Sequence, residues 1–203
     1  MTKTQDVERR TQNATTGRMV VISGPSGVGK STICRELVRR LDNVYLSVSV
    51  TTRPKAKAEV DGRDYWFISR QEFEQRIRQG LLLEYAEVFG NYYGTPKDTI
   101  EQALEQGLTV ILEIDVQGGR QAKLVFPDTK MIFILPPQGE ALQNRLSGRG
   151  RDDAAAVQRR LAKAEQEMAA ARSCYEYFVV NDDLEKAINK IIGIITGCPG
   201  GRG

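Results

Sequence analysis

The chain has 203 residues, with 29 Lys and Arg against 26 Asp and Glu, a formal net charge of +3. That length suits one compact α/β domain with small inserted modules, and so mild a charge argues neither for nucleic acid nor for a membrane surface as partner. The absence of histidine excludes His-based catalysis and His-ligated metals, and the three scattered cysteines, Cys34, Cys174 and Cys198, fit neither a disulfide framework nor a zinc site.

Residues 1–17 are polar and are predicted to form a disordered tail. No run approaches roughly 18 apolar residues and the start lacks a signal-peptide core, so a cytoplasmic chain in a reducing compartment is expected. Met19 to Ser23 is a short apolar run that reads as a buried strand. Gly24-Pro25-Ser26-Gly27-Val28-Gly29-Lys30-Ser31 then matches G-x-x-x-x-G-K-[ST], and Ser31 to Leu41 carries Ile33, Leu37, Val38 and Leu41 at helical spacing. Strand, glycine loop and helix form the arrangement that turns backbone N–H groups and a helix N-terminus onto phosphate oxygens. Here Lys30 would reach the β- and γ-phosphates, with the Ser31 hydroxyl on Mg²⁺ and Thr32 beside it. The stretch predicts a nucleoside triphosphate site without naming an acceptor.

Tyr45 to Val50 reads as one strand, Thr51 to Asp64 as a loop region and Tyr65 to Ile68 as a short strand. Ser69 with Glu72 forms a capping-box pattern for a helix through Arg78. Leu81 to Phe89 reads as extended, Gly90 to Gly94 as a turn, and a helix is predicted from Thr95-Pro96 to just before Gly107. Leu108 to Asp115 is an apolar strand with an acidic end, where a parallel-sheet nucleotide enzyme places a carboxylate near Mg²⁺. Glu113 lies on the same strand face.

Met131 to Leu135 is another buried strand. Glu140 to Leu146 reads as a helix, Ser147 to Asp153 as a loop, and Ala154 to Ala171 as a long Ala-rich helix. Tyr177 to Val180 is the last strand and Asp183 to Ile195 the last helix. Strands alternating with helices predict an α/β fold, a parallel three-layer sheet flanked by helices. Residues 18–195 form the domain, with a core at 18–46 and 96–195, a β-rich insert at about 47–95, and a flexible tail at 196–203. Arg145, Arg149, Arg151, Arg159 and Arg160 crowd one loop and the helix after it. Such a run is commonly a solvated face, but behind a phosphate-binding loop it reads as a mobile lid, at about 145–158.

Longer motifs carry a resemblance. Ser47-Val48-Ser49-Val50-Thr51-Thr52-Arg53, Glu59-Val60-Asp61-Gly62-Arg63-Asp64-Tyr65-Trp66-Phe67, Glu84 and Gly90-Asn91-Tyr92-Tyr93-Gly94-Thr95 are similar to the acceptor module of guanylate kinases. Glu113-Ile114-Asp115-Val116-Gln117-Gly118, Arg145-Leu146-Ser147-Gly148-Arg149-Gly150 and Val180-Asn181-Asp182-Asp183 resemble the same family. The resemblance covers nearly everything from Met19 to about Ile195. It implies an ATP:GMP phosphotransferase requiring Mg²⁺, also acting on dGMP, with ATP and GMP as partners and a monomeric or small homo-oligomeric state.

Site residues follow from the same resemblance. Ser49, Glu84 and Thr95 match positions that contact guanine, and Arg53, Tyr65 and Tyr93 match those that hold the GMP phosphate. Asp115 matches the carboxylate near metal and acceptor, with Ser31 the other metal residue. Arg145, Arg149 and Arg160 match lid and catalytic arginines beside Lys30, and Asn181 matches a position next to adenine. The chain departs from the family where a second phosphate-binding arginine is usual: Ala56 stands there, between Lys55 and Lys57. Two other readings fit the sequence less well. A non-catalytic protein-binding module usually has a damaged loop, and a kinase for another acceptor would not need the guanine set.

Overall fold

A computed structural model describes residues 17–137 and 154–197, with side chains from 162 onward in the second stretch. Strand β1 (Arg18–Ser23) leads through the glycine loop into helix α1 (Lys30–Arg40), and β2 (Val44–Leu46) follows. Next come β3 (Val50–Thr51), β4 (Trp66–Phe67), α2 (Arg70–Arg78), β5 (Leu82–Val88) and β6 (Asn91–Pro96). The chain then runs through α3 (Lys97–Glu105), β7 (Thr109–Glu113), α4 (Val116–Val125) and β8 (Lys130–Leu135). Helix α5 (Ala154–Ala171), β9 (Tyr177–Val180) and α6 (Leu184–Thr196) complete it.

Five strands form a parallel sheet in the order β2-β7-β1-β8-β9, so β1 lies at its centre. Successive residues of β1 point to opposite faces. Val20 and Ile22 pack with Ile33 and Leu37 of α1 and Ile188 and Ile191 of α6. Met19 and Val21 pack with Ile100 of α3, Ala122 of α4 and Ala171 of α5. Both faces are therefore covered, which is why the strand reads as an unbroken apolar run rather than an alternating one.

A second sheet has the order β4-β3-β6-β5 and is mixed: β3 and β4 are parallel, while β6 is antiparallel to both β3 and β5. The single strand expected over Tyr45–Val50 is thus two. Leu46 pairs with Ile111 in the five-stranded sheet, whereas Val50 pairs with Gly94 in the four-stranded one. The turn expected over Gly90–Gly94 is confined to Phe89 and Gly90, because Asn91, Tyr92 and Tyr93 pair with Val88, Glu87 and Ala86. Thr95 and Pro96 extend that strand instead of opening α3. Aromatic residues favour the half-buried strand surface that β5 offers.

Ser69 caps α2 as its sequence implies, Oγ accepting from Glu72 N at 3.1 Å, while the Glu72 carboxylate accepts from Arg76. Helix α4 has no counterpart among the elements expected from sequence. Its first turn holds Gly118 and Gly119, poor helix formers, and both are required by close packing. A Cβ on Gly118 would sit 2.5 Å from Glu84 Oε2, and one on Gly119 would collide with the Tyr175 hydroxyl. The predicted helix at Glu140–Leu146, the loop at Ser147–Asp153 and the arginines Arg145, Arg149 and Arg151 lie outside the described residues. Arg159 and Arg160 fall in α5 but outside its described side chains.

Candidate active site

The glycine loop begins where β1 ends, at the carboxyl edge of the parallel sheet, the usual place for a ligand in an open α/β sheet. Gly24, Gly27 and Gly29 all have positive φ, at 152°, 82° and 102°, which other residues adopt only with strain. Asn181, after β9, steadies the loop: its Nδ2 donates to Val28 O at 2.8 Å. Lys30 Nζ donates to Gly24 O at 2.7 Å and Pro25 O at 3.0 Å, so its ammonium folds back over the loop that it follows. Burial holds the Lys30 pKa below its ordinary value, opposed by the nearby carboxylates of Glu113 and Glu167. Thr32 is exposed in the first turn of α1.

The Ser31 hydroxyl donates to Glu113 Oε1 at 2.7 Å, so Glu113 pairs with the loop directly. Asp115 follows two residues later and caps α4, Oδ1 accepting from Gly118 N at 2.8 Å. A hydrogen-bond relay locks β1 to the end of β7: the Tyr175 hydroxyl donates to Ser23 Oγ at 2.6 Å, and Ser23 Oγ donates to Ile114 O at 2.7 Å.

Facing this edge is the four-stranded sheet, across a cleft of about 370 Å³. One wall is the loop and β7 end, with Gly24, Ser26, Lys30, Glu113 and Asp115. The other is the second sheet, with Ser49, Tyr65, Glu84 and Tyr93, and α5 supplies Lys163 and Glu167. Strand β5 aims its residues by period two: Glu84, Ala86 and Val88 all reach the cleft, while Tyr85 and Glu87 are exposed. A β-bulge sets that phase, because pairing slips between Leu82 and Glu84.

Glu84 is only 5% exposed, and Thr95 Oγ1 donates to its Oε1 at 2.5 Å. Burial pushes the Glu84 carboxyl up to about 7, and the nearby Asp115 charge adds to the rise against the Thr95 hydrogen bond. A carboxyl buried in a cleft with so perturbed a proton affinity is characteristic of a functional site.

Arg53 lies beside Tyr65 and Phe67, its guanidinium carbon 5.4 and 5.6 Å from the two ring centroids. It forms a bidentate pair with Glu59, at 2.7 and 3.0 Å, and that hydrogen bonding raises its pKa. Glu59 Oε2 also accepts from Ala56 N at 2.8 Å, so one carboxylate ties the loop from Arg53 to Glu59 together. The Tyr65 and Tyr93 rings meet edge to face at 5.9 Å, and burial pushes the Tyr65 hydroxyl up to about 12.

The cleft thus gathers Lys30, Ser49, Tyr65, Glu84, Tyr93 and Asp115 from segments far apart in sequence, with Thr95 behind Glu84 and Ser31 behind Glu113. Sequence reasoning missed Glu59, Phe89, Lys163, Glu167 and Tyr175. Lys163 and Glu167 did carry a signal, since an i, i+4 pair shares one helix face. Glu59 opens one of the stretches that carry the resemblance but had no role assigned, and Phe89 and Tyr175 carried no signal, because their contacts depend on which strand or helix folds against them.

Comparison with known proteins agrees with this geometry. Residues 16–197 match the family model described as Guanylate kinase. A guanylate kinase of Synechocystis sp. is 47% identical over 184 residues, 91% of this chain and 96% of the relative. One of Thermosynechococcus vestitus is 51% identical over 172 residues, covering 85% and 90%. The crystal structure of guanylate kinase from Anaplasma phagocytophilum matches with a TM-score of 0.73 and 33% identity, over 90% of this chain and 86% of that one.

Proposed function

Because this chain belongs to the guanylate kinase family and is an ATP:GMP phosphotransferase, we propose that its cleft holds the two nucleotides end to end, GMP on the four-stranded sheet and ATP on the glycine loop. The observation that carries this reading is Glu84, buried across the cleft from Lys30 and held by Thr95. Guanine presents N1–H and its 2-amino group as adjacent donors, and one carboxylate accepts both; adenine has no such pair. Leaving a buried carboxylate unpaired is what rejects the wrong base. Ser49 lines the same wall and completes the base pocket with Thr95.

Arg53, Tyr65 and Tyr93 hold the GMP phosphate in this assignment. Arg53 then exchanges or shares its Glu59 partner for phosphate, a step that keeps one face of the guanidinium anchored. Lys30 leaves the carbonyls of Gly24 and Pro25 for the β- and γ-phosphates, where its charge offsets the charge that shifts during in-line transfer. Arg145, Arg149 and Arg160 are assigned to the closing lid, Asn181 to the adenine side of ATP, and Thr32 with the residues from Gly24 to Ser31 to its phosphates. Asp115, which lines the cleft beside Glu113, is assigned to orient the acceptor.

The donor set fits Mg²⁺. Ser31 and Asp115 offer hard oxygen atoms, and Glu113 takes the Ser31 hydroxyl proton as a hydrogen bond, which turns an oxygen lone pair outward. Such a cation draws most of its remaining ligands from phosphate and water. When bound it neutralises charge on the transferring group. Among the described residues no helix is long and apolar enough to cross a membrane.

The deciding experiment is ADP formation from ATP with GMP, dGMP, AMP, CMP and UMP compared side by side, with and without Mg²⁺. Turnover confined to GMP and dGMP supports the assignment; comparable turnover with AMP removes Glu84 as the base reader.

A further inference from the structure

The hairpin joining β5 to β6 turns through Phe89 and Gly90, with φ of 51° and 78°. Two successive left-handed residues suit Asn, Asp or Gly, and a bulky aromatic pays a conformational cost there. Phe89 is also 69% exposed, so burial does not hold it in place. A strained conformation persists when its surroundings over-determine it. The surroundings of this ring include α5: Lys163 Nζ stands 5.0 Å from the Phe89 centroid. One turn further along α5, Glu167 Oε1 lies 3.8 Å from the same ammonium. Phe89, Lys163 and Glu167 all line the cleft.

We infer that Phe89 and Lys163 form a clasp that fastens the tip of the β5–β6 hairpin to α5 and thereby positions Glu84 for guanine. This rests on the reading of Glu84 as the base reader. Glu84 lies on the same strand as the tip, five residues away, and its inward face is set by the phase of β5. Pairing of β6 with β3 and the Gln121 Nε2 hydrogen bond to Tyr85 O at 3.2 Å hold the body of the hairpin, and the tip contact fixes the end beyond them. The aromatic face attracts the ammonium, and Glu167 pairs with the same ammonium at 3.8 Å. Phe89 and Lys163 are positioning residues, since they act through β5 rather than on a reacting atom.

The test is steady-state kinetics for both nucleotides, with GMP binding followed independently by the fluorescence of Trp66, the only tryptophan, which lies in β4 of the same sheet. Phe89→Leu and Lys163→Met should each raise the GMP Michaelis constant about threefold to fivefold and leave the ATP constant unchanged. Phe89→Tyr keeps the ring and Lys163→Arg keeps the cation, so both should stay within about twofold of the parent. The double variant should be no worse than the weaker single, because each single change already removes the shared contact.

Additive losses, a Phe89→Tyr variant as impaired as Phe89→Leu, or a change confined to ATP overturns the clasp. If Phe89→Leu fails to fold, the Lys163→Met and Lys163→Arg pair decides alone. A parent protein that does not use GMP sinks the base-reader assignment; one that does, with both single variants unchanged, sinks only the clasp.

Discussion

Thr95 and Glu84 face each other across the β5–β6 ladder, the hydroxyl donating at 2.5 Å to a carboxyl that burial holds near a pKa of about 7. In the proposed role of Glu84, recognition of guanine needs the ionised form, which accepts two donors. The GMP Michaelis constant should therefore fall as pH rises from about 6 through 7 and level off above. Glu84→Gln should weaken GMP use about tenfold to a hundredfold and flatten that slope, leaving only the part contributed by GMP's own phosphate. Stability should run the other way. The folded pKa is above the ordinary 4.5, so this group's contribution is full below 4.5 and lost as pH rises through about 7. Melting temperatures of the nucleotide-free protein across that window, compared with Glu84→Gln, check the sign.

Gly118→Ala separates packing from chemistry. Alanine favours the helix by about 1 kcal/mol, but its methyl would sit 2.5 Å from Glu84 Oε2. Overpacking costs typically about 1–3 kcal/mol, so the net loss of stability should lie between about zero and 2 kcal/mol while Glu84 is displaced. The GMP constant should rise about tenfold or more, with ATP binding intact. An unchanged GMP constant in a folded variant would show that Glu84 has room to retreat.

Lys30→Ala should lower turnover by orders of magnitude and leave the fold intact, because among the described residues the ammonium bonds only to two loop carbonyls at the cleft wall and takes no part in core packing, while Glu113 and Glu167 lose a neighbouring positive charge. Circular dichroism and the GMP-dependent assay measure the two halves of that statement. Near-normal activity would take the loop lysine out of the reaction.

Ala56 makes a prediction of opposite sense. Its backbone N–H already serves Glu59, while its side chain is only a methyl between exposed Lys55 and Lys57. Ala56→Arg adds a planar fork near Arg53 and should lower the GMP constant by up to about tenfold, the equivalent of one charge-assisted bond worth roughly 1.5 kcal/mol. Lys55→Ala and Lys57→Ala should raise it unequally, the larger effect naming the lysine that substitutes. No shift in any of the three places the acceptor phosphate elsewhere.

The parallel sheet was legible because Met19–Ile22 and Met131–Leu135 are apolar throughout, as strands covered on both faces are. The glycine loop was legible because backbone shape there depends on local residues. Helix α4 was not, since Gly118 and Gly119 answer to Glu84 and Tyr175, which come from β5 and the segment before β9. The split of residues 44–51 was equally hidden: Tyr45 and Val50 share one composition, and only their partners, Val110 and Gly94, tell them apart. In the candidate site, the clamp on Arg53 was not legible. Glu59 looks like any loop glutamate until the loop folds it onto both Arg53 and Ala56.

Three residues, Ser47, Val48 and Ser49, carry the chain from the parallel sheet to the mixed one, and the step from Pro96 to Lys97 brings it back. Both crossings are short, and Ser49, Arg53, Tyr65, Glu84, Tyr93 and Thr95, the residues proposed to read guanine and its phosphate, all fall between them in one continuous stretch of sequence. Such a layout behaves as a replaceable cartridge. Exchanging residues 47–96 for the matching stretch of another phosphotransferase should redirect the acceptor if the graft keeps the contacts that cross to the rest of the chain, Glu84 against Gly118 and Phe89 against Lys163.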